Sequence, residues 1–331
     1  MIEWCYQILT WYRQPTGRIK MKNGLHSTKN TSSVWSSYWS ALRPWSFTAS
    51  LTPVLLGACL GYKVHAVFDA AVLIVVCVTA LAVHAAGNLV NTYYDFKKGV
   101  DNKKSDDRTL VEGYMKSNDV ATLGAVCYGL GCAGLVILFL ISPAKSQLLS
   151  LMYFCGLSSS FLYTGGLGLK YIALGDIAIF ITFGPITVMF SYLAMTGELS
   201  MVVILYAIPL AMNIECVLHV NNCRDADSDR AAGIITLAII LGKTYSYLLF
   251  CVLLFGPYIA FACATVNLSV WYILPLSTIV KAFSIERLFR SNNLSFLPHR
   301  IAELNLLLGI FFIVAIFFSP KSGLPFLFIS T

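Results

Sequence analysis

Nine runs of about 20 predominantly apolar residues follow one another between residues 45 and 318, and this restricts the fold more than any motif. They lie near residues 45–63, 70–94, 119–141, 147–164, 172–195, 199–220, 244–266, 270–289 and 302–318. A helix of that length crosses roughly 30 Å of hydrocarbon. None of the runs carries the apolar/polar alternation of a barrel strand, and a backbone in lipid must satisfy its own hydrogen bonds. The expected fold class is therefore all-α: a polytopic membrane protein with nine transmembrane helices in a single bundle. Composition agrees, since 57% of residues are hydrophobic and 12% charged, outside the range of soluble domains. Residues 1–40, rich in Ser, Asn and Lys, read as a poorly ordered cytosolic tail without a secretory signal, residues 41–320 as the transmembrane domain and 321–331 as a short C-terminal tail.

Most of the 23 Lys and Arg residues fall in the N-terminal tail and in the loops after the second, fourth, sixth and eighth runs. The positive-inside rule places those segments in the cytosol. The net charge of +7 then reads as cations beside anionic lipid, and no nucleic-acid partner is expected. The ten cysteines form no CxxC pattern and mostly sit within apolar runs, where cysteine packs as a small hydrophobe. Cys223, beside an acidic cluster, is the exception to watch.

Two cytosolic stretches break the apolar character: 88-NLVNTYYDFKKGVDNKKSDDRTLV-111 and 219-HVNNCRDADSDRAAGIITL-237. Aligned by eye, Asn91 matches Asn221 and Asp95 matches Asp225, which points to an internal duplication of four helices. Within each copy Asn and Asp stand four residues apart, on one helix face. Asp229 extends the second copy by a turn, and Asp101 is expected to reach the first from the loop. Loop charges are ordinarily a solvated rim, but these acids begin inside apolar runs, where a carboxylate costs roughly 2.5–3.5 kcal/mol at mid-membrane. Two like charges 4 Å apart repel by about 4 kcal/mol at an effective dielectric of 20, so converging carboxylates need a counter-charge. Mg²⁺ takes one or two carboxylates and completes its shell with water and phosphate oxygens. Two such clusters point to two ions holding a diphosphate, with Lys97, Lys98, Arg108, Lys170, Arg224 and Arg230 as nearby cations.

The patterns N-x-x-x-D-x5-D (Asn91, Asp95, Asp101) and N-N-x-x-D-x-x-x-D (Asn221, Asn222, Asp225, Asp229) resemble the Asp-rich motifs of the UbiA superfamily of intramembrane prenyltransferases. The blocks at 41–57, 84–111, 156–177 and 221–238 are similar to its animal members. The resemblance covers about residues 40–320 and implies a nine-span bundle with its active site at the cytosolic helix ends. It implies transfer of a geranylgeranyl group from its diphosphate to menadiol, giving a menaquinone, in endoplasmic reticulum and Golgi membranes. A further implied partner is the sterol-pathway reductase that makes mevalonate. Asn91, Asp95 and Asp101 are then expected at one Mg²⁺ and Asn222, Asp225 and Asp229 at the other, with Asn221 as a ligand or an orienting neighbour. Lys170, Arg43 and Arg224 are expected to meet the diphosphate, although Arg43 reads equally well as an interfacial anchor.

Tyr163 is expected in the pocket and Tyr94 in the aromatic belt. Asp106, Asp107 and Arg108 are expected to shape a loop that closes over the site and keeps water from an allylic cation. His84 reads as a bundle hydrogen-bonder before a general base. Glu215 and His219, four apart, could pair with each other and are assigned no role. Gly124, Gly129, Gly131 and Gly134 serve close helix packing, or else a groove for the prenyl tail. The rival readings are a secondary transporter, disfavoured because the acids lie at helix ends and not at mid-membrane, a non-catalytic prenyl-diphosphate sensor, and an enzyme with another acceptor such as 4-hydroxybenzoate.

Overall fold

The computed structural model describes residues 31–101, 107, 109–159, 163–165 and 168–327. Among these residues the protein is all-helical, with one isolated bridge, between Ile172 and Ile235. The elements are α1 Thr31–Leu42, α2 Thr48–His65, α3 Ala70–Lys97, α4 Ser117–Ile141, α5 Ser146–Cys155, α6 Gly175–Thr196, α7 Val202–Ala231, α8 Leu237–Asn267, α9 Ile279–Arg290 and α10 Leu297–Phe318. Residues 31–40, assigned to the tail from sequence, belong to α1, and near the C-terminus Leu324 and Leu327 are buried.

Among the described residues seven helices are long and apolar enough to cross a bilayer: Ser37–His65, which joins α1 to α2, then α3, α4, α6, α7, α8 and α10. The other two expected spans are not continuous helices. In 147–164, α5 stops at Gly156, whose φ of −113° and ψ of −84° leave the helical region, and a 3-10 turn Leu157–Ser159 follows. In 270–289, a 3-10 turn Val270–Tyr272 and one turn Ile273–Leu276 containing Pro275 precede α9. Proline lacks the donor a continuous helix needs. Two long helices, an interrupted segment and a further long helix thus occur twice, as α3 to α6 and as α7 to α10.

The helices pack α3 on α4, α7 on α8, and α2 against α6 and α10. Lipid supplies no hydrophobic drive between helices, so close backbone approach must hold them together. A Cβ on Gly57 of α2 would lie 2.3 Å from the Val188 carbonyl oxygen of α6, and one on Gly134 of α4 would lie 2.1 Å from Thr79 Oγ1 of α3. Gly131 also faces α3 closely, whereas Gly129 has open space around it. On the outer faces Leu140, Ile259 and Val266 are exposed, as a lipid-facing surface requires.

Helices α3 and α7 end alike. The Val100 amide donates to the Asp95 carbonyl and the Ile234 amide to the Asp229 carbonyl, each at 2.9 Å. Between them Gly99 (φ 71°) and Gly233 (φ 75°) take the left-handed conformation that closes a helix. This geometry corrects the alignment drawn from sequence by about one turn. Asp95 corresponds to Asp229, Asn91 to Asp225 and Asn88 to Asn222, while Gly99, read as an interruption of the motif, is the equivalent of Gly233.

Candidate functional site

A cavity with about 1400 Å³ of empty space, part of it open to solvent, lies where the ends of α3 and α7 face each other. Asn91 and Asp95 enter it from α3, Asp101 from the turn beyond, and Asn221, Asn222, Asp225 and Asp229 from α7. Arg43, Tyr163, Lys170 and Arg224 line it too, so every residue assigned from sequence to an ion, to the diphosphate or to the pocket reaches one cavity. Its remaining wall is largely apolar, with Ile179, Phe183, Ile214, Val217, Leu218 and Ala302. A narrower cavity, with about 440 Å³ of empty space, shares His84, Tyr163, Ile179 and Phe183 with the first.

Lys170 is carried across the cavity by a short loop. Gly168 at φ 65° starts the 3-10 turn Leu169–Tyr171, and the Ile235 amide donates to the Tyr171 carbonyl, tying that loop to the one after α7. Lys170 Nζ donates to Asp95 Oδ2 at 2.6 Å and to Asn91 Oδ1 at 3.2 Å, and the Tyr171 hydroxyl donates to Asp95 Oδ1 at 2.9 Å. Tyr171 was missed from sequence; its only signal was its place beside Lys170. Asp95 is 3% exposed, and Lys170 and Tyr171 give each of its carboxylate oxygens a donor. On α7, Arg224 holds Asp225 through two bonds of 2.8 Å each, so this arginine meets the cavity already joined to a carboxylate. Arg230 pairs with exposed Asp227, Lys98 lies 3.5 Å from the centre of the Tyr171 ring, and neither these cations nor Lys97 line the cavity.

Arg43 is the first residue of a latch. At φ 52° it precedes the 3-10 turn Pro44–Phe47, and its guanidinium donates to Asp107 Oδ2 at 2.6 Å. Asp107 also accepts from the Thr92 hydroxyl and, at 2.9 Å, from the Thr109 amide. Burial pushes the Asp107 carboxyl up, but Arg43 and these donors together hold it well below the usual carboxylate range. Asp106 and Arg108, expected to act with it, lie outside the described residues. Asp101 is pushed up to about 7, first by burial and then by Asp95 and Asp107, with Arg43 and Lys170 opposing. The cavity mouth therefore favours added positive charge.

Oxygen donors in two sets fit a hard divalent cation. No three His, Cys, Asp or Glu side chains among the described residues stand close enough to hold an ion alone. Mg²⁺ does not require that, because it characteristically shares one or two carboxylates with phosphate and water.

Other expectations resolve differently. His84 sits between two hydroxyls, Ser50 Oγ at 2.7 Å from Nδ1 and Ser46 Oγ at 3.2 Å from Nε2, with Phe47 and Phe183 edge-on, which is the bundle role. His219 does not pair with Glu215. It donates from Nε2 to the Ser246 carbonyl at 2.9 Å, its Nδ1 stands 3.6 Å from Asp176 Oδ1, and Glu215 packs beside that same aspartate. Cys223 Sγ lies 3.5 Å from His219 Nε2 and takes no part in the cavity lining. Tyr94 packs its ring against Gly165, and the described cysteines are free thiols.

Residues 50–296 match the model of the UbiA prenyltransferase family. The chain is 54% identical over 290 residues to UbiA prenyltransferase domain-containing protein 1 of Homo sapiens, covering 88% of this chain and 86% of the human one. It is 50% identical over 303 residues to the Drosophila melanogaster homologue, covering 91% and 84%. The fold is similar to that of a UbiA homologue from Aeropyrum pernix, with a TM-score of 0.62 at 16% identity over 81% of this chain and 97% of that one. It is also similar to that of a UbiA homologue from Archaeoglobus fulgidus bound to GPP and Mg²⁺, with a TM-score of 0.58 at 14% identity over 84% and 99%.

Proposed function

The chain belongs to the UbiA prenyltransferase family, and from that membership we propose that it transfers a geranylgeranyl group from its diphosphate to the ring of menadiol, forming a menaquinone. The observation that carries this reading is the convergence of Asn91, Asp95, Asp225 and Asp229 with Lys170 on one cavity whose other wall is apolar. A diphosphate fits the polar half and a polyprenyl chain the apolar half. Prenyl diphosphate and Mg²⁺ bound to the archaeal fold relative support the same ligand class.

Asn91, Asp95 and Asp101 would hold one Mg²⁺, and Asn222, Asp225 and Asp229 the other, with Asn221 adjoining. The ions would stabilise charge developing on the departing diphosphate. Lys170, already donating to Asp95 and Asn91, supplies a fixed ammonium where that charge collects. Arg224 keeps Asp225 oriented, and Tyr163 offers an aromatic face between the two cavities. The Arg43–Asp107–Thr92 latch holds Asp107 beside the cavity, which limits water at the allylic carbon.

We read the membrane topology as nine crossings, counting the interrupted segments 147–164 and 270–289, with the cavity facing the cytosol in an endoplasmic reticulum or Golgi membrane. Tyr163 at the cavity and Lys145 at the opposite end of the segment support counting the first. The test incubates membranes holding the protein with Mg²⁺, radiolabelled geranylgeranyl diphosphate and menadiol. The expected result is a lipophilic menaquinone that disappears with EDTA and in Asp95→Ala or Asp225→Ala. Label transferred to 4-hydroxybenzoate and not to menadiol would overturn the acceptor, and metal-dependent binding without any transfer would mark a sensor.

A further inference from the structure

Asn222 is a buried amide, 6% exposed, on the α7 wall of the cavity. Its Nδ2 donates to Asp176 Oδ2 at 3.3 Å. A carboxylate can only accept, so this contact fixes which way the amide is turned and leaves the carbonyl oxygen for the cavity. Asp176 is 5% exposed in the first turn of α6. Behind it His219, fully buried, donates from Nε2 to the Ser246 carbonyl of α8, and its Nδ1 faces Asp176 Oδ1 at ion-pair distance, 3.6 Å. A carbonyl on α8, a ring and an amide on α7 and a carboxylate on α6 thus form one chain that ends at the cavity.

The other half of the fold solves the same problem with neutral groups. Asn88, the counterpart of Asn222 at the end of α3, gives its Nδ2 to the Leu42 carbonyl at 2.9 Å and to Ser46 Oγ at 3.1 Å. It too lines the cavity with its amide donors turned elsewhere. Neither α3 nor α7 leaves that orientation to chance.

We propose that Asp176 and His219 are positioning residues that hold the Asn222 amide with its Oδ1 toward the cation and diphosphate. This rests on the reading of the cavity as an Mg²⁺–diphosphate site, and it assigns functions to two residues that do not touch the ligands. Outer partners of metal-binding side chains characteristically change metal affinity by about 10–100-fold when removed.

The test uses the full chain in detergent with Mg²⁺ and a non-cleavable geranylgeranyl thiolodiphosphate, reading the rise in melting temperature against Mg²⁺ concentration. Asp176→Leu, which removes the acceptor of the Asn222 amide at similar size, is expected to raise the half-saturating Mg²⁺ concentration about 10-fold. His219→Gln should raise it in the same direction and by less. Asp176→Leu combined with Asn222→Ala should do no more than Asn222→Ala alone, because both act through one amide. Lower melting temperatures with unchanged Mg²⁺ half-saturation would reduce both residues to packing and overturn the proposal, as would fully multiplicative effects in the double variant. If Asp176→Leu does not fold, His219→Gln decides by the same readout. A wild-type protein with no Mg²⁺-dependent shift would instead remove the diphosphate reading itself, and this proposal with it.

Discussion

Asp95 and Lys170 form one of the two 2.6 Å charged contacts on the cavity wall, and they are expected to fail in different ways. Asp95→Asn removes the carboxylate a cation would share, so the Mg²⁺ needed for half-maximal turnover should rise while protein yield holds. Lys170→Met removes the fixed ammonium but frees Asp95, so the Mg²⁺ requirement should stay level or fall. Both should lower turnover by about 10²–10³-fold, the usual loss when one preorganised stabiliser of developing charge is deleted. A Mg²⁺ titration of initial rates separates the two, and identical titration curves would contradict the division of roles. Sequence alone singled out Asp95, since a carboxylate at the end of an apolar run is informative without any structure, and Lys170 as a cation following the Gly165-Gly166 turn. It did not reach Tyr171, Asn88 or Asp176, because a tyrosine, an amide or a helix-start aspartate acquires meaning only from what stands opposite it.

At the scale of the helix, the matched ends of α3 and α7 depend on Gly99 and Gly233. Neither would bring an added Cβ within 4 Å of another atom, so alanine there suffers only from its backbone. Gly99→Ala and Gly233→Ala should each destabilise by about 1–2 kcal/mol, the cost of a left-handed L-residue, seen as a lower melting temperature in detergent. Gly134→Val acts on packing and not on conformation: it drives α4 away from Thr79 of α3 and should cost about 1–3 kcal/mol. The latch belongs to this scale too, because Arg43 ties the start of α2 to the segment after α3. Arg43→Ala should divert geranylgeranyl diphosphate toward hydrolysis, measured as the ratio of geranylgeraniol to prenylated quinone. An unchanged ratio would leave Arg43 as an interfacial anchor.

For the whole molecule the question is how the chain threads the membrane. Lys116 and Lys145 are exposed at opposite ends of α4. In sealed microsomes an impermeant maleimide should label a cysteine at Lys116→Cys from outside the vesicle and reach one at Lys145→Cys only after detergent is added, native reactivity being subtracted. Labelling of both before detergent would contradict the topology. The two interrupted segments were read from sequence as ordinary spans because apolar length is all that hydropathy registers. Where a helix must break, at Gly156 or around Pro275, is a matter of what packs beside it.

Composition, apolar run length and the lack of barrel-strand alternation by themselves determined that this chain is a helical membrane protein, since hydrocarbon admits only helices and closed barrels. The spacing of Asn and Asp at those run ends likewise determined an oxygen-rich polar site on one face. The register of the duplication was decided only by the tertiary structure. Two helix-closing glycines set which aspartate answers to which, and the hydrogen bond from Asn222 of α7 to Asp176 of α6 sets which way that amide is turned. Contacts between residues far apart in the chain carry that information, and no local pattern encodes them.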